Sequence, residues 1–275
     1  MIKSPSFVFF GTSDFSVYVL DSLLLNNFVP QAIVTFPNKP EGRHHVLTPN
    51  PVKRWAQVHN VKIIESLTFK TPEFEEIIKK ENADVFVVAS FGKILPDNVI
   101  YMPQYKTLNV HPSLLPKLRG PSPIQGAMLL ENETGVSIMR LSSKMDEGPI
   151  LLHQKVEFET WPLGYTETEK ILGKVGGELL AEVFNKLNTE PLPEIDQDHS
   201  KATYTHMIQK SEGDITNDTP QTALRKIKAF KKWPRTRIGD LIVTDAHIEE
   251  EKLVIDKVIP PGKKEMLYKD YLRNK

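Results

Sequence analysis

The fold can be worked out from the stretch at residues 108–116, which reads Leu108-Asn109-Val110-His111-Pro112-Ser113-Leu114-Leu115-Pro116. Asn109 and His111 stand two residues apart at the end of an apolar run, so on a strand both side chains point to the same face. The run at residues 83–89 is apolar almost throughout, which is typical of a strand covered on both faces in a parallel sheet. A polar pair in such a sheet is either a hydrogen-bonded structural pair or part of a functional site.

Strands and helices alternate along the chain as far as residue 111. Short apolar runs predict strands, and apolar residues at helical spacing predict helices between them. The strands are expected at residues 6–10, 31–36, 61–64, 84–89 and 106–111, and the helices after residue 13, at 49–60 and after residue 71. This order indicates an α/β protein with a doubly wound, mostly parallel sheet. The G-x-G-x-x-G pattern is missing after the first strand, which argues against a dinucleotide site.

A polar loop follows the second predicted strand, at the edge where open α/β sheets bind their ligands. In this loop Lys39 and Arg43 are candidates for contact with a phosphate. The adjacent His44-His45 has no further ligand cluster beside it, and we interpret it as loop polarity. The chain contains no Cys, which excludes disulfides, thiolate nucleophiles and cysteine-ligated metals. We therefore expect no metal site.

The loop after His111 is rich in proline. Prolines within residues 112–123 restrict φ and remove N–H donors, so the sequence predicts a rigid loop of defined shape. We expect the Leu115-Pro116 peptide bond in this loop to be cis. Further along, the turn at residues 144–148 carries Asp146, whose carboxylate can project into the crevice that holds His111.

The composition is that of an ordinary globular protein. The chain has 275 residues, of which 25% are charged and 40% hydrophobic, and this balance argues against disorder. The apolar runs are strand-sized and fall short of the roughly 20 residues that a membrane helix requires. Strand-like sequence begins near Ser6, so no secretory signal is expected. We expect a cytoplasmic protein, and a monomer.

Charge is distributed unevenly along the chain. Residues 201–275 contain 16 Lys and Arg against 11 Asp and Glu, a net +5, and the first 200 residues carry −5. Such a split predicts an acidic body and a basic tail domain, and basic tails are often only solvated surface. A long amphipathic helix at residues 165–187 ends near a Pro-Leu-Pro sequence. The predicted division is a catalytic domain at 1–189, a linker at 190–205 and a small basic domain at 206–275.

The types of polar residue in the crevice indicate a class of chemistry. Asn109, His111 and Asp146 have no Ser or Cys nucleophile beside the His, which suggests acyl chemistry in which an external amine or water attacks. Asn109 can donate a hydrogen bond to a carbonyl oxygen as it becomes an oxyanion. His111 can assist that oxygen or move a proton, and Asp146 can orient the ring or act through a water.

Two sets of motifs resemble a known family. The run Asn109–Pro116, followed by Arg119–Gln125 and Met145–Gly148, resembles the signature of the 10-formyltetrahydrofolate-dependent formyltransferases. Within that family the chain is most similar to the members that formylate initiator methionyl-tRNA. The motifs that point to them are Phe10–Phe15, Lys39–Arg43, Pro51–Lys53, Ala229–Pro234 and Pro261–Lys264. The Asn-His-Asp part is common to the whole superfamily, and the order of the other motifs is more specific.

The resemblance implies a Rossmann-like catalytic domain followed by a small β-barrel domain similar to an OB-fold, which is shortened in this chain. It implies 10-formyltetrahydrofolate as co-substrate and initiator methionyl-tRNA as partner. Asn109, His111 and Asp146 match the family's catalytic trio. The residues that match its folate-binding loop are Ser113, Leu114, Leu115 and Pro116.

The resemblance also implies a set of contacts with tRNA. Arg43 lies in the loop that in this family reaches the tRNA acceptor end. The basic C-terminal region would hold the tRNA backbone through phosphate contacts that do not depend on sequence. The candidate residues there are Lys231, Lys232, Lys263 and Lys264.

Three other functions remain open at this point. An N-formyltransferase for an amino sugar nucleotide can share the same trio and be similarly short. Hydrolysis of formyltetrahydrofolate would need only water in place of the amine. The alternative that is not an enzyme is an RNA-binding protein that retains an inactive catalytic domain.

Overall fold

The computed structural model describes residues 4–41, 45–187, 189 and 191–273. Its strands are β1 (Phe7–Gly11), β2 (Ala32–Thr35), β3 (Lys39–Glu41), β4 (Val46–Thr48), β5 (Lys62–Glu65), β6 (Val85–Ala89), β7 (Thr107–His111), β8 (Thr134–Arg140), β9 (Ile150–Val156), β10 (Thr236–Ile238), β11 (Leu241–Glu249), β12 (Lys252–Ile259) and β13 (Met266–Leu267). Its α-helices are α1 (Asp14–Leu25), α2 (Pro51–Val58), α3 (Pro72–Lys79), α4 (Asp97–Ile100), α5 (Pro123–Leu130), α6 (Tyr165–Lys186), α7 (Pro220–Ala229) and α8 (Tyr268–Arg273). Short 3₁₀ helices lie at His199–Lys201 and Lys210–Gly213.

The chain forms two compact units. The first contains the residues up to 120 together with 135–156 and 170–204, and the second contains 121–134, 157–169 and the residues from 205 onward. Each unit therefore draws on separate stretches of the chain. The division predicted at residues 189 and 205 follows chain order instead, and it stays a prediction.

The first unit is built on a seven-stranded sheet with the order β5-β2-β1-β6-β7-β8-β9. The pairs from β5 to β7 are parallel, and β8 runs antiparallel to β7. The chain moves outward from β1 to β2 and β5 and then returns to the other side of β1 at β6. This reversal of strand order defines a doubly wound sheet, so the predicted α/β fold with a mostly parallel sheet is confirmed.

The interior strands of the sheet are buried along their whole length. Every residue of β1, β6 and β7 is buried, and in β1 and β6 this matches the continuous apolar runs that predict a sheet covered on both faces. Helix α1 begins as predicted, with the Ser13 hydroxyl accepting a hydrogen bond from the Ser16 N–H.

At Gly177 of α6 a Cβ atom would lie 2.6 Å from the Val19 carbonyl oxygen, so α6 packs closely on α1 only because this residue is glycine.

The second unit contains a four-stranded sheet with the order β10-β11-β12-β13 and antiparallel pairing throughout. Helix α7 packs on β11, and α5 packs on α7. The buried apolar residues of this small core are Ile215, Ala223, Ile227, Val243 and Ala246. The predicted C-terminal β-structure is thus a small antiparallel sheet. Across the described ranges, the chain contains no helix with the length and apolar character needed to span a membrane.

Candidate active site

His111 is the last residue of β7 and lies at the carboxyl edge of the parallel sheet. It is 4% exposed, and it pairs with Ser137 of β8. Its Nε2 atom lies 3.0 Å from the Leu118 carbonyl oxygen. Since a carbonyl only accepts hydrogen bonds, this contact assigns the ring proton of the neutral imidazole to Nε2. The neutral ring therefore has its basic nitrogen at Nδ1.

Asp146 faces that basic nitrogen. Its Oδ1 atom lies 3.8 Å from His111 Nδ1, and its Oδ2 atom accepts a hydrogen bond of 2.8 Å from the Gly120 N–H. A separation of 3.8 Å is too long for a hydrogen bond, yet a proton taken up at Nδ1 would lie beside the carboxylate. The structure thus brings Asp146 and His111 together, which the sequence spacing alone could not establish.

The turn that carries Asp146 has an unusual backbone. Asp146 itself has a φ of 55°, in the left-handed region that few residues other than glycine adopt. At Gly148 a Cβ atom would lie 2.0 Å from the Arg140 carbonyl oxygen, so only glycine allows this close approach. The geometry of the turn is therefore imposed by its surroundings, which aim the carboxylate at the end of β7.

Asn109 lies on β7 two residues before His111, on the same face of the strand. It is 8% exposed, and its side chain makes no hydrogen bond to any residue in the described ranges. Its amide atoms are not among the fully buried unpaired atoms of the described residues, so they keep some access to the crevice. This donor is therefore available to a bound molecule, and a bound carbonyl oxygen would satisfy it.

The proline-rich loop after β7 is held in a defined shape, as expected. The Leu115-Pro116 bond is cis, which confirms that prediction. The Ser137 hydroxyl donates to the Ser113 carbonyl oxygen at 2.8 Å and accepts from the Leu115 N–H at 3.1 Å. Ser113 and Leu115 are buried, whereas Leu114 and Pro116 are half-buried. Sequence reasoning did not single out Ser137, because a serine inside a strand gives no local signal.

Two further residues tie the site together, and sequence reasoning assigned neither a role. Arg119 is fully buried, and its Nε and Nη2 atoms donate to Gln197 Oε1 at 3.1 and 2.7 Å. Gln197 lies in the stretch predicted to be a linker, and its Nε2 donates to the carbonyl oxygens of Asp146 and Gly148. Only the three-dimensional structure brings this glutamine to the Asp146 turn.

The residues predicted to contact tRNA have different environments. Lys231, Lys263 and Lys264 are exposed. Lys232 forms an ion pair of 2.6 Å with the carboxylate of Glu169, so its charge is partly used within the second unit. The remaining candidate, Arg43, lies outside the described residues. The roles assigned to these residues stay predictions.

Other cations of α7 also bind within the second unit. Arg225 donates to the carbonyl oxygens of Met128 and Glu131, at the end of α5. Lys228 donates to the Pro162 carbonyl oxygen at 2.9 Å. The basic helix is therefore in part a means of holding neighbouring segments, and less of its charge faces solvent than its composition indicates.

Two arginines that sequence reasoning missed lie at cavities of the second unit. Arg235 lines a cavity of about 180 Å³ beneath α7 together with Lys231, and it lines a neighbouring cavity of about 190 Å³ together with Arg237. Within the described residues, the side chains of these three cations make no hydrogen bond or ion pair, although the charge of Arg237 contributes to lowering the pKa of Asp214. We call Lys231, Arg235 and Arg237 the basic corner.

The β11–β12 hairpin of the same unit has the opposite charge. A hydrogen bond of 2.8 Å from His247 to the Asp256 carboxylate raises the pKa of His247 above its ordinary value. The charges of Asp256, Glu249 and Asp245 raise this pKa further. Residues 241–259 of this hairpin contain five Asp and Glu against two Lys, so its net charge is negative.

Comparison with known proteins assigns the family. A model of the formyl transferase domain matches residues 6–176, which include all of β7, the proline-rich loop and the Asp146 turn. The chain belongs to the formyltransferase family.

Curated relatives of this formyltransferase extend over most of its length. The methionyl-tRNA formyltransferase of Sulfurihydrogenibium sp. (strain YO3AOP1) is 38% identical over 256 residues, covering 88% of this chain and 80% of the relative. The methionyl-tRNA formyltransferase of Thermotoga maritima is 38% identical over 235 residues, covering 84% and 74%. The match therefore extends beyond residues 6–176, which the formyl transferase domain model covers, and further into the second unit.

Solved structures share the fold of this formyltransferase. The methionyl-tRNA formyltransferase from Clostridium thermocellum has a TM-score of 0.61 at 16% identity, covering 93% of this chain and 99% of that one. A sugar N-formyltransferase from Shewanella sp FDAARGOS_354 has a TM-score of 0.64 at 14% identity, covering 94% and 98%. Since both likenesses are similar in extent, the fold alone does not separate these two kinds of substrate.

Proposed function

We propose that this chain transfers the formyl group of 10-formyltetrahydrofolate to the amino group of methionine on initiator methionyl-tRNA. The observation that carries the proposal is the Asn109 amide, which has no partner among the described residues and lies on the same strand face as His111, itself opposite Asp146. Relatives that are 38% identical over most of both chains are named methionyl-tRNA formyltransferases, which favours this acceptor over an amino sugar nucleotide.

Asn109 supplies the electrostatic part of the reaction. As the amine attacks, negative charge develops on the formyl oxygen, and the Asn109 amide donates a hydrogen bond to it. The donor is already in place and largely shielded from water, so little reorganisation is required when the charge appears. One such donor is typically worth about 10²–10³ in rate.

His111 acts as the general base and then as the general acid. Its Nδ1 atom is unprotonated in the neutral ring and accepts the proton that the attacking amine must lose, while Asp146 stabilises the resulting imidazolium from 3.8 Å away. The imidazolium then returns a proton to the nitrogen from which the formyl group departs. One C–N bond forms and one breaks, and the protein is unchanged at the end of the cycle.

The loop of Ser113, Leu114, Leu115 and Pro116 forms the folate contact in this proposal. Ser137 holds its backbone, and the half-buried Leu114 and Pro116 leave apolar surface for a flat ring system. No metal is required in this scheme, since the charge on the formyl oxygen is met by an amide donor.

The proposal also covers the form of the second unit, the cellular location, the oligomeric state and the position of tRNA. Its four-stranded antiparallel sheet with α7 is an abridged form of an OB-like barrel. We place the enzyme in the cytoplasm as a monomer, with domain limits at 189 and 205. In this scheme tRNA lies against the exposed Lys263 and Lys264 and against the basic corner.

The acceptor is tested by supplying 10-formyltetrahydrofolate with either methionyl-tRNA or an amino sugar nucleotide and measuring which becomes formylated. We expect transfer to methionyl-tRNA and a rate with the sugar nucleotide that does not exceed the background. Preferential formylation of the sugar would replace the proposed acceptor, and release of formate without either product would indicate a hydrolase.

The basic corner gives a prediction about tRNA binding. The variant Lys231→Ala/Arg235→Ala is expected to bind tRNA more weakly, with the slope of log K against log salt reduced by about 0.7–0.9 for each phosphate that is no longer neutralised. The measurement is a binding titration at several salt concentrations. The matched control is Lys252→Ala, an exposed lysine at the acidic hairpin. Equal weakening in the corner variant and the control would contradict the assignment.

A further inference from the structure

Gln197 uses all of its hydrogen-bonding capacity inside the first unit. It is 6% exposed. Its Nε2 donates to the Asp146 carbonyl oxygen at 2.9 Å and to the Gly148 carbonyl oxygen at 2.7 Å. Its Oε1 accepts from Arg119 Nε and Nη2. An amide has two donor hydrogens and two acceptor lone pairs, so every one of them is occupied.

These bonds join the two backbone segments that contact the reacting groups. Arg119 lies between Leu118 and Gly120. The Leu118 carbonyl oxygen accepts from His111 Nε2, and the Gly120 N–H binds the Asp146 carboxylate. On the other side, the glutamine amide holds the backbone of Asp146 itself. Gln197 thus adds a second connection between the segment that orients His111 and the turn that carries Asp146, beside the direct bond from the Gly120 N–H.

We propose that Gln197 is a positioning residue that sets the separation of His111 and Asp146 by tying the Arg119 segment to the Asp146 turn. This inference rests on the proposed function, in which that separation matters for the transfer of a proton. A misplacement of about 1 Å at a catalytic group can cost on the order of 10²-fold in rate.

The identity of the residue supports a positioning role. The charge of Arg119 already has a carboxylate nearby, since Glu147 Oε1 lies 3.5 Å from its Nη1. A Glu in place of Gln197 would still accept from the arginine, and more strongly than an amide does. It would, however, place an oxygen against the carbonyl oxygens of Asp146 and Gly148, with no hydrogen between them. The amide therefore differs from a carboxylate in donating two hydrogen bonds to the Asp146 turn.

Two substitutions separate these contributions in a formylation assay. Gln197→Met removes all four hydrogen bonds, and Gln197→Glu keeps the acceptor for Arg119 while removing both donors to the turn. We expect each to lower kcat by about 10–100-fold with little change in the KM for either substrate. The control is Gln57→Glu, at an exposed position of α2. A Gln197→Glu enzyme with the wild-type kcat would overturn the inference, since it lacks the bonds to the turn.

A double-mutant cycle with Asp146→Asn distinguishes positioning from a general loss of structure. If Gln197 acts through Asp146, Gln197→Glu should lower kcat in the wild-type enzyme and have little further effect once Asp146 is Asn. A purely structural role predicts the same fold-loss in both backgrounds, and that result would overturn the proposal. Thermal unfolding of each variant confirms that the compared proteins are folded.

The same set of variants distinguishes failure of this inference from failure of the proposed function. If Asp146→Asn retains the wild-type kcat, the catalytic roles proposed for the site are wrong, and the role of Gln197 fails with them. If Asp146→Asn is slow and both Gln197 variants are as fast as the wild type, only the positioning role is wrong.

Discussion

Replacing His111 by Ala is expected to lower kcat for formyl transfer by about 10²–10⁴-fold, the usual range for loss of a general acid or base. The ring is the only group in the proposed scheme that accepts the amine's proton and returns it to the departing nitrogen. The KM for methionyl-tRNA should change little, because His111→Ala leaves the tRNA contacts proposed in the second unit intact. Steady-state rates with both substrates varied provide the measurement.

The matched control for this variant is His153→Ala, at an exposed histidine on β9 of the same unit. The control should retain the wild-type kcat. Asp146→Asn should also be slow, and the double variant His111→Ala/Asp146→Asn should be no slower than His111→Ala, because Asp146 acts through the ring. A His111→Ala enzyme within a few-fold of the wild type would remove the ring from the mechanism.

Much of the fold could be predicted because its determinants are local. The buried strands β1 and β6 are continuous apolar runs, and such runs between helical segments indicate a parallel sheet without any knowledge of distant contacts. Asn109 and His111 could be found for the same reason, since a two-residue spacing on one strand defines a shared face. The closed or open form of the small C-terminal sheet depends on pairing between distant strands, which no local pattern reports.

The rest of the site depends on contacts between distant positions. Gln197 binds Asp146 across 51 positions and Arg119 across 78, and neither contact leaves a periodic signal in the sequence. Asp146 reaches His111 only because a glycine two residues later allows the turn to pack against Arg140. Charge was also an incomplete guide, because cations of α7 bind carbonyl groups within the second unit.

Replacing Asn109 by Ala is expected to lower kcat by about 10²–10³-fold, the range measured when one oxyanion donor is removed. The hydrogen bond strengthens as the formyl oxygen gains charge, so kcat and kcat/KM should fall together and KM should stay nearly constant. Asn109→Asp should be slower still, since a carboxylate would repel the developing charge. The control is Asn185→Ala, at an exposed position of α6.

Stability should respond to Asn109 substitutions in the opposite direction to activity. In the free protein the Asn109 residue is 8% exposed and its amide has no partner among the described residues, so the folded state bears part of the cost of removing the amide from water. Asn109→Leu removes that cost and keeps the branched shape with somewhat larger terminal groups, and its Tm is expected to equal or exceed that of the wild type while formyl transfer is abolished. A residue kept only for structure would lower Tm when it is replaced. A fall in Tm together with near-normal turnover would identify Asn109 as a structural residue and would leave the oxyanion without its proposed donor.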